Sequence, residues 1–112
     1  MRVTPPTPSL DGWDIRHAAD LDWIPWGSQT KAQAKVLAEV DGYTVALFQA
    51  EAGYRTSAHD HAFPEFFYLL DGVVRNQGLV MNAVGAYAAG VGSTHTDFET
   101  HTPASYISIF RL

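Results

Sequence analysis

Apolar and polar positions alternate with a period of two over residues 43–50, YTVALFQA, the pattern of a strand with one buried face. Asp41-Gly42 stands directly before it. That dipeptide signals a two-residue hairpin turn, so a strand must also precede it. The residues in that place, TKAQAKVLAEV, are rich in good helix formers. The need for a pairing partner outweighs that preference, and a strand is expected over residues 35–40. Downstream, the chain is interrupted at Gly53, Gly72, Gly78, Gly85, Gly90, Gly92 and Pro103. The intervening FFYLL, VVR, LVM and SYISIF are rich in β-branched and aromatic residues. Many short strands at such spacing predict an all-β sandwich or barrel, formed by residues 30–112. Residues 1–29 read as an extended N-terminal arm with three prolines in its first twelve positions, followed by a capping segment. There Trp13, Trp23 and Trp26 are expected to cover one open end of the core.

A length of 112 residues suits one domain, and no linker, repeat or low-complexity run divides it. The formal charge is -5 with Lys and Arg scattered singly, so the basic stripe needed to follow a phosphate backbone is missing and nucleic acid is not an expected partner. No segment approaches the roughly 18 apolar residues of a membrane span. MRVTPPTPSLDG lacks the apolar centre of a secretory signal, so a cytoplasmic location is expected. There is no cysteine. Disulfides, thiolate nucleophiles and Cys-ligated metal sites are thereby excluded, which leaves metal chemistry to histidine and carboxylate.

Those residue types concentrate in one stretch, GYRTSAHDHAFPEFFYLLDG at residues 53–72. On a strand, His59 and His61 project from one face and converge on one point while Asp60 faces away. A kink at Ala62-Phe63-Pro64 then returns the chain, with Glu65 opening a second strand aimed at the same place. By the same alternation Phe67 and Leu69 share the inward face with Glu65, and Phe66, Tyr68 and Leu70 form an outward apolar row. His17, His101 and Arg55 are expected at the surface, and Glu99 is expected to be solvated.

The sequence here resembles the cupin superfamily. Gly53, His59, His61, Glu65 and Gly72 meet every position and spacing of the family's first motif, G-x5-H-x-H-x3-E-x6-G. GVGSTHTDFE at residues 90–99 is similar to the second motif, P-x-G-x2-H-x3-N. Gly90 replaces its proline and Glu99 its asparagine, while the motif histidine is present as His95. The layout between the motifs, with the upstream DWIPWG and AKVL, looks like the ChrR-type cupins. That branch includes the sensor domain of an anti-sigma factor and cupins similar to acetylacetone and dihydroxyacetophenone dioxygenases.

The resemblance implies a cupin-type double-stranded β-helix, or jelly-roll barrel. It also implies a single divalent transition metal ion held by His59, His61, Glu65 and His95. Three imidazoles and a carboxylate form a borderline-hard N/O set that suits Fe(II), the favoured ion, and also Zn, Mn or Ni. Phe67, Leu69, Phe48, Tyr87 and Phe98 are expected to wall a substrate site for a small, largely apolar molecule with chelating oxygens. Two functions fit: a metal-dependent dioxygenase acting on a small diketone or aromatic hydroxyketone, and a non-catalytic ChrR-like module that senses metal or ligand. The outward row of Phe66, Tyr68 and Leu70 needs cover, which points to a homodimer.

Overall fold

The computed structural model describes residues 10–112, and the first nine positions of the expected arm lie outside them. Among the described residues, apart from one turn of 3-10 helix at Ala18–Asp20, every regular element is a strand. The strands are β1 (Ile24–Trp26), β2 (Ala32–Val40), β3 (Tyr43–Ala50), β4 (His59–Asp60), β5 (Glu65–Asp71), β6 (Val73–Asn76), β7 (Leu79–Asn82), β8 (Ala86–Ala89), β9 (Thr94–His95), β10 (Phe98–Thr100) and β11 (Ala104–Arg111). They form a six-stranded sheet in the order β1-β2-β3-β11-β5-β8, a three-stranded sheet β10-β6-β7 and the pair β4-β9. Every pairing is antiparallel. This is the cupin-type jelly roll. None of the described helices is long and apolar enough to cross a membrane.

The strand before Asp41-Gly42 is present and begins three residues earlier than expected, at Ala32. Asp41 and Gly42 take φ of 53° and 80°, the left-handed pair that a two-residue hairpin requires. Helix propensity loses here because β2 pairs with β3 along nearly its whole length, and its alanines turn into a crowded interior. Gly72, the last glycine of the first motif, has φ of 98°, and a Cβ there would collide with the Pro103 carbonyl and Ala104. Only glycine lets the chain pass from β5 to β6 beneath that loop.

The inward residues of the large sheet lie in rows across the strands. One row runs Val36, Ala46, Ser108, Phe67, Tyr87, and the next runs Ala34, Phe48, Tyr106, Leu69. In the first row the short side chain of Ser108 stands between the fully buried Ala46 and the Phe67 ring. Of the three tryptophans, Trp26 alone packs on this core, edge-on to Phe48 at 5.1 Å between ring centroids. Trp23 lies under the Lys35 ammonium instead, and Trp13 is largely exposed, so the expectation of a three-ring cap is corrected to a single ring.

Ahead of β1 the chain is tied to β2 by polar contacts. Arg16 pairs with Asp14 at 2.8 Å and donates to the Val36 carbonyl, while Lys35 donates to the Ala18 carbonyl. The Arg16 guanidinium and the Glu39 backbone N–H together hold the Asp14 carboxyl below its usual range.

Candidate metal centre

His59 on β4 faces His95 on β9 as its cross-strand partner. His61 continues the ladder one residue further: its N–H donates to the Ser93 carbonyl, and its carbonyl accepts from the Gly92 N–H, both at 2.8 Å. The second motif therefore works by backbone pairing with the first. Glu65 opens β5 after the kink at Pro64, as the sequence predicts. The three imidazole centroids stand 5.1, 5.2 and 5.6 Å apart, and one ligand-capable atom from each of His59, His61, Glu65 and His95 lies within 4.8 Å of the others.

Hydrogen bonding fixes which nitrogen each ring presents. His59 Nδ1 meets the Ser57 carbonyl at 2.8 Å, which only accepts, so Nδ1 carries the hydrogen and Nε2 the lone pair. Ser93 Oγ donates its one hydrogen to the Gly90 carbonyl and therefore accepts from His61 Nδ1, again leaving Nε2 bare. His95 turns Nε2 to Asn76 Oδ1 at 2.6 Å, leaving Nδ1 bare. On the carboxylate, Tyr87 donates its hydroxyl hydrogen to Glu65 Oε1, while Oε2 faces His61 Nε2 at 3.7 Å.

The cluster is thus four acceptors without a hydrogen between them. His61 Nε2 and His95 Nδ1 are buried and have no hydrogen-bond partner among the described residues. Leaving such atoms unpaired away from water is costly, and a bound cation removes the cost. The residues present therefore fit a divalent ion, and the three imidazoles and one carboxylate are able to hold it. Burial pulls the His95 imidazole below its ordinary pKa against the opposing influence of Glu65, which favours the neutral, ligating form. Burial, with the Glu65 charge behind it, pushes the Tyr87 phenol far above its ordinary value, so it stays a donor.

A cavity of about 400 Å³ opens beside the cluster. Phe48, Phe67, Tyr87 and Phe98 line it, whereas Leu69 is fully buried in the row beneath and is not among the lining residues. Alternation places Leu69 inward correctly, but the neighbouring row of rings separates it from the space. At the mouth, the Arg111 guanidinium lies over the Phe63 ring at 4.6 Å.

Residues 13–110 match the ChrR cupin-like domain family. The chain belongs to that family. Among solved structures, this cupin is similar to a candidate acetylacetone dioxygenase from Methylibium petroleiphilum PM1, at 20% identity and a TM-score of 0.79, covering 94% of this chain and 81% of that one. It is also similar to an acetylacetone dioxygenase from Acinetobacter johnsonii, at 15% identity and a TM-score of 0.73, covering 99% and 80%. The complex of SigE with the anti-sigma ChrR from Rhodobacter sphaeroides matches at 17% identity and a TM-score of 0.68, with 85% of this cupin covering 52% of the matched chain. Identities this low speak for a shared fold. No curated protein matches this cupin in sequence.

His17, His101 and Arg55 are exposed, as expected. Glu99 differs: it is largely buried and paired with Arg55 at 3.0 Å and Arg75 at 3.5 Å, so it fastens β10 to its neighbours instead of being solvated. Sequence reasoning missed Asn76, Ser93 and the hydroxyl role of Tyr87, because each acts on a ligand 19 or more positions away and no local pattern marks it. Tyr106, Ser108 and Phe110 line the cavity too, and the alternation of SYISIF is the signal that would have found them.

Proposed function

We propose that this cupin binds one divalent transition metal ion, Fe(II) favoured, through His59, His61, Glu65 and His95, and uses it as a dioxygenase on a small diketone or aromatic hydroxyketone. The observation that carries the reading is the pair of buried, partnerless imidazole nitrogens facing a carboxylate at one wall of an aromatic cavity. A redox-active ion there would supply the chemistry that lets dioxygen attack a chelating enolate. The protein's own part is positional. Ser57, Ser93 and Asn76 hold the three rings, Tyr87 orients Glu65, and the aromatic walls bind the apolar body and exclude water. The likeness to the two acetylacetone dioxygenase structures supports the choice of reaction.

The second reading is a non-catalytic metal- or ligand-binding module, supported by the ChrR family match. Elemental analysis of the purified protein, followed by anaerobic Fe(II) loading and oxygen-uptake assays on diketones and hydroxyketones, separates the two. Iron with uptake supports the enzyme; tight zinc without uptake supports the module. His95→Ala is expected to lose most of the metal and His101→Ala to keep it, and the reverse would refute the ligand set.

The outward row is exposed: Phe66, Tyr68 and Leu70 retain 49%, 41% and 40% of their surface. Ile107 and Ile109 flank them on β11. Phe66, Tyr68 and Leu70 carry no charge, so this row meets its own copy without like-charge repulsion, which matters in a chain of net charge -5, and we propose a second copy as its cover.

A further inference from the structure

The chain between His61 and Glu65 turns without hydrogen-bonded support. His61 is tied by its backbone to Ser93 and Gly92, and Glu65 pairs with Ala89 as β5 begins. Ala62, Phe63 and Pro64 between them make no hydrogen bond among the described residues, and Pro64 has no N–H to give. Two candidate ligands thus stand on either side of a kink, with His61 Nε2 and Glu65 Oε2 at 3.7 Å. Any wandering of the kink changes that spacing.

One side chain reaches across it. The Arg111 guanidinium, from the last position of β11, lies over the Phe63 ring at 4.6 Å and over the Tyr43 ring at 5.7 Å. Both distances fall within the roughly 6 Å reach of a cation–π contact. The same guanidinium rests against the Asp41-Gly42 turn, where a Cβ on Gly42 would stand 2.9 Å from Nε and 3.2 Å from Cζ. The hairpin of β2 and β3 and the kink between the ligands are therefore joined through one planar cation.

Arg111 differs in this from its counterparts. Arg16, Arg55 and Arg75 each pair with a carboxylate, at 2.8, 3.0 and 2.8 Å. Among the described residues the Arg111 side chain has neither a carboxylate partner nor a hydrogen bond, so its contacts there are the two rings and the turn. Arginine also keeps its charge across the range in which histidine titrates, so this contact does not switch with the imidazoles.

We propose that Arg111 is a positioning residue for the metal centre: its stack on Phe63 holds the kink, and the kink sets His61 and Glu65 at the spacing one ion requires. The inference rests on the metal reading above and adds to it a residue outside the four ligands and their hydrogen-bond partners. A ligand loop ordered before the ion arrives loses less freedom when it binds, so the stack is read as metal affinity.

Zinc affinity of the full chain is measured by competition with a chromophoric chelator, and ligand geometry by the visible absorption of the Co(II)-loaded protein. Arg111 is exposed and Phe63 only partly buried, so substitutions at either leave the core intact. Arg111→Met, which keeps a long stem and removes the charge, is expected to weaken zinc binding roughly two- to fivefold, the range an exposed cation–π contact supplies, and to alter the Co(II) bands. Phe63→Leu should do the same, whereas Phe63→Tyr, which keeps the aromatic face, should retain wild-type affinity. The double variant Arg111→Met with Phe63→Leu should be no weaker than either single one. Losses that add in the double variant, or a Phe63→Tyr protein as weak as Phe63→Leu, overturn the inference. A wild type that takes up no zinc removes the metal reading and the inference with it. A wild type that binds zinc tightly, with Arg111→Met unchanged in affinity and spectrum, overturns the positioning role alone.

Discussion

Each imidazole of the cluster gives one nitrogen to a neighbour that can only accept and so presents the other as a bare lone pair. That arrangement sets the direction of a pH effect. A ligating nitrogen must be free of its proton, and protons compete with the metal as pH falls through the imidazole range near ~6.5. At His95, burial lowers the pKa, so its proton begins to compete only at a lower pH than for an exposed ring. Metal should be retained on dialysis at about pH 7.5 and lost at about pH 5, read by elemental analysis, and unchanged content at the lower pH would contradict the ligand assignment. His59, His61 and Glu65 were legible in the sequence because period-two alternation and a single kink are local properties. The hydroxyl of Tyr87 was not, since nothing near residue 87 signals that Glu65 is its acceptor 22 positions earlier.

The hairpin joining β6 to β7 shows how one short element can hold another. Its turn residues Gln77 and Gly78 take φ of 53° and 75°, and the Gln77 side chain lies over the segment that carries His95. Its Nε2 donates to the Thr94 carbonyl at 2.9 Å, and its Oε1 accepts from the N–H groups of Thr96 at 2.7 Å and Asp97 at 3.2 Å. The neighbouring Asn76 holds the ring itself. Arg75 adds a two-point pair with Asp97, whose carboxyl is held below its usual range chiefly by that guanidinium. Gln77→Ala should destabilise the protein by roughly 1–2 kcal/mol in denaturant unfolding and weaken metal retention. An unaltered midpoint would show that the clamp contributes nothing. Gly78 marks a break in the sequence, yet the work of Gln77 was invisible there, because a glutamine before a glycine has the same local pattern whether or not a distant loop lies within reach. Asp41-Gly42 was the opposite case: its conformation is a property of the dipeptide itself, and it correctly overrode the helix-forming residues before it.

For the molecule as a whole, the large sheet has one face turned to the cavity and another that the N-terminal segment covers only in part. Asp14, Arg16 and Lys35 fasten that segment over β2, while Phe66, Tyr68 and Leu70 on β5 are left open. Light scattering after size exclusion is expected to report a dimer at micromolar concentration, and Phe66→Glu should yield a folded monomer by placing like charges opposite each other. A monomeric wild type would rule out the second copy as the covering partner. The exposed row was readable from parity alone. What escaped the sequence was which residues cover the rest of that face, since a salt link from Arg16 to Asp14 and a backbone contact to Val36 belong to no recognisable motif.

In the inward row of Val36, Ala46, Ser108, Phe67 and Tyr87, the one short side chain that borders the chamber is Ser108. It belongs to β11, while the ring nitrogens and the carboxylate come from β4, β5, β9 and the loop after β4. The size of the chamber and the candidate ligand set therefore draw on different parts of the chain. A descendant of this protein that carried Ser108→Val or Ser108→Gly would admit smaller or larger molecules while keeping the same four candidate ligands.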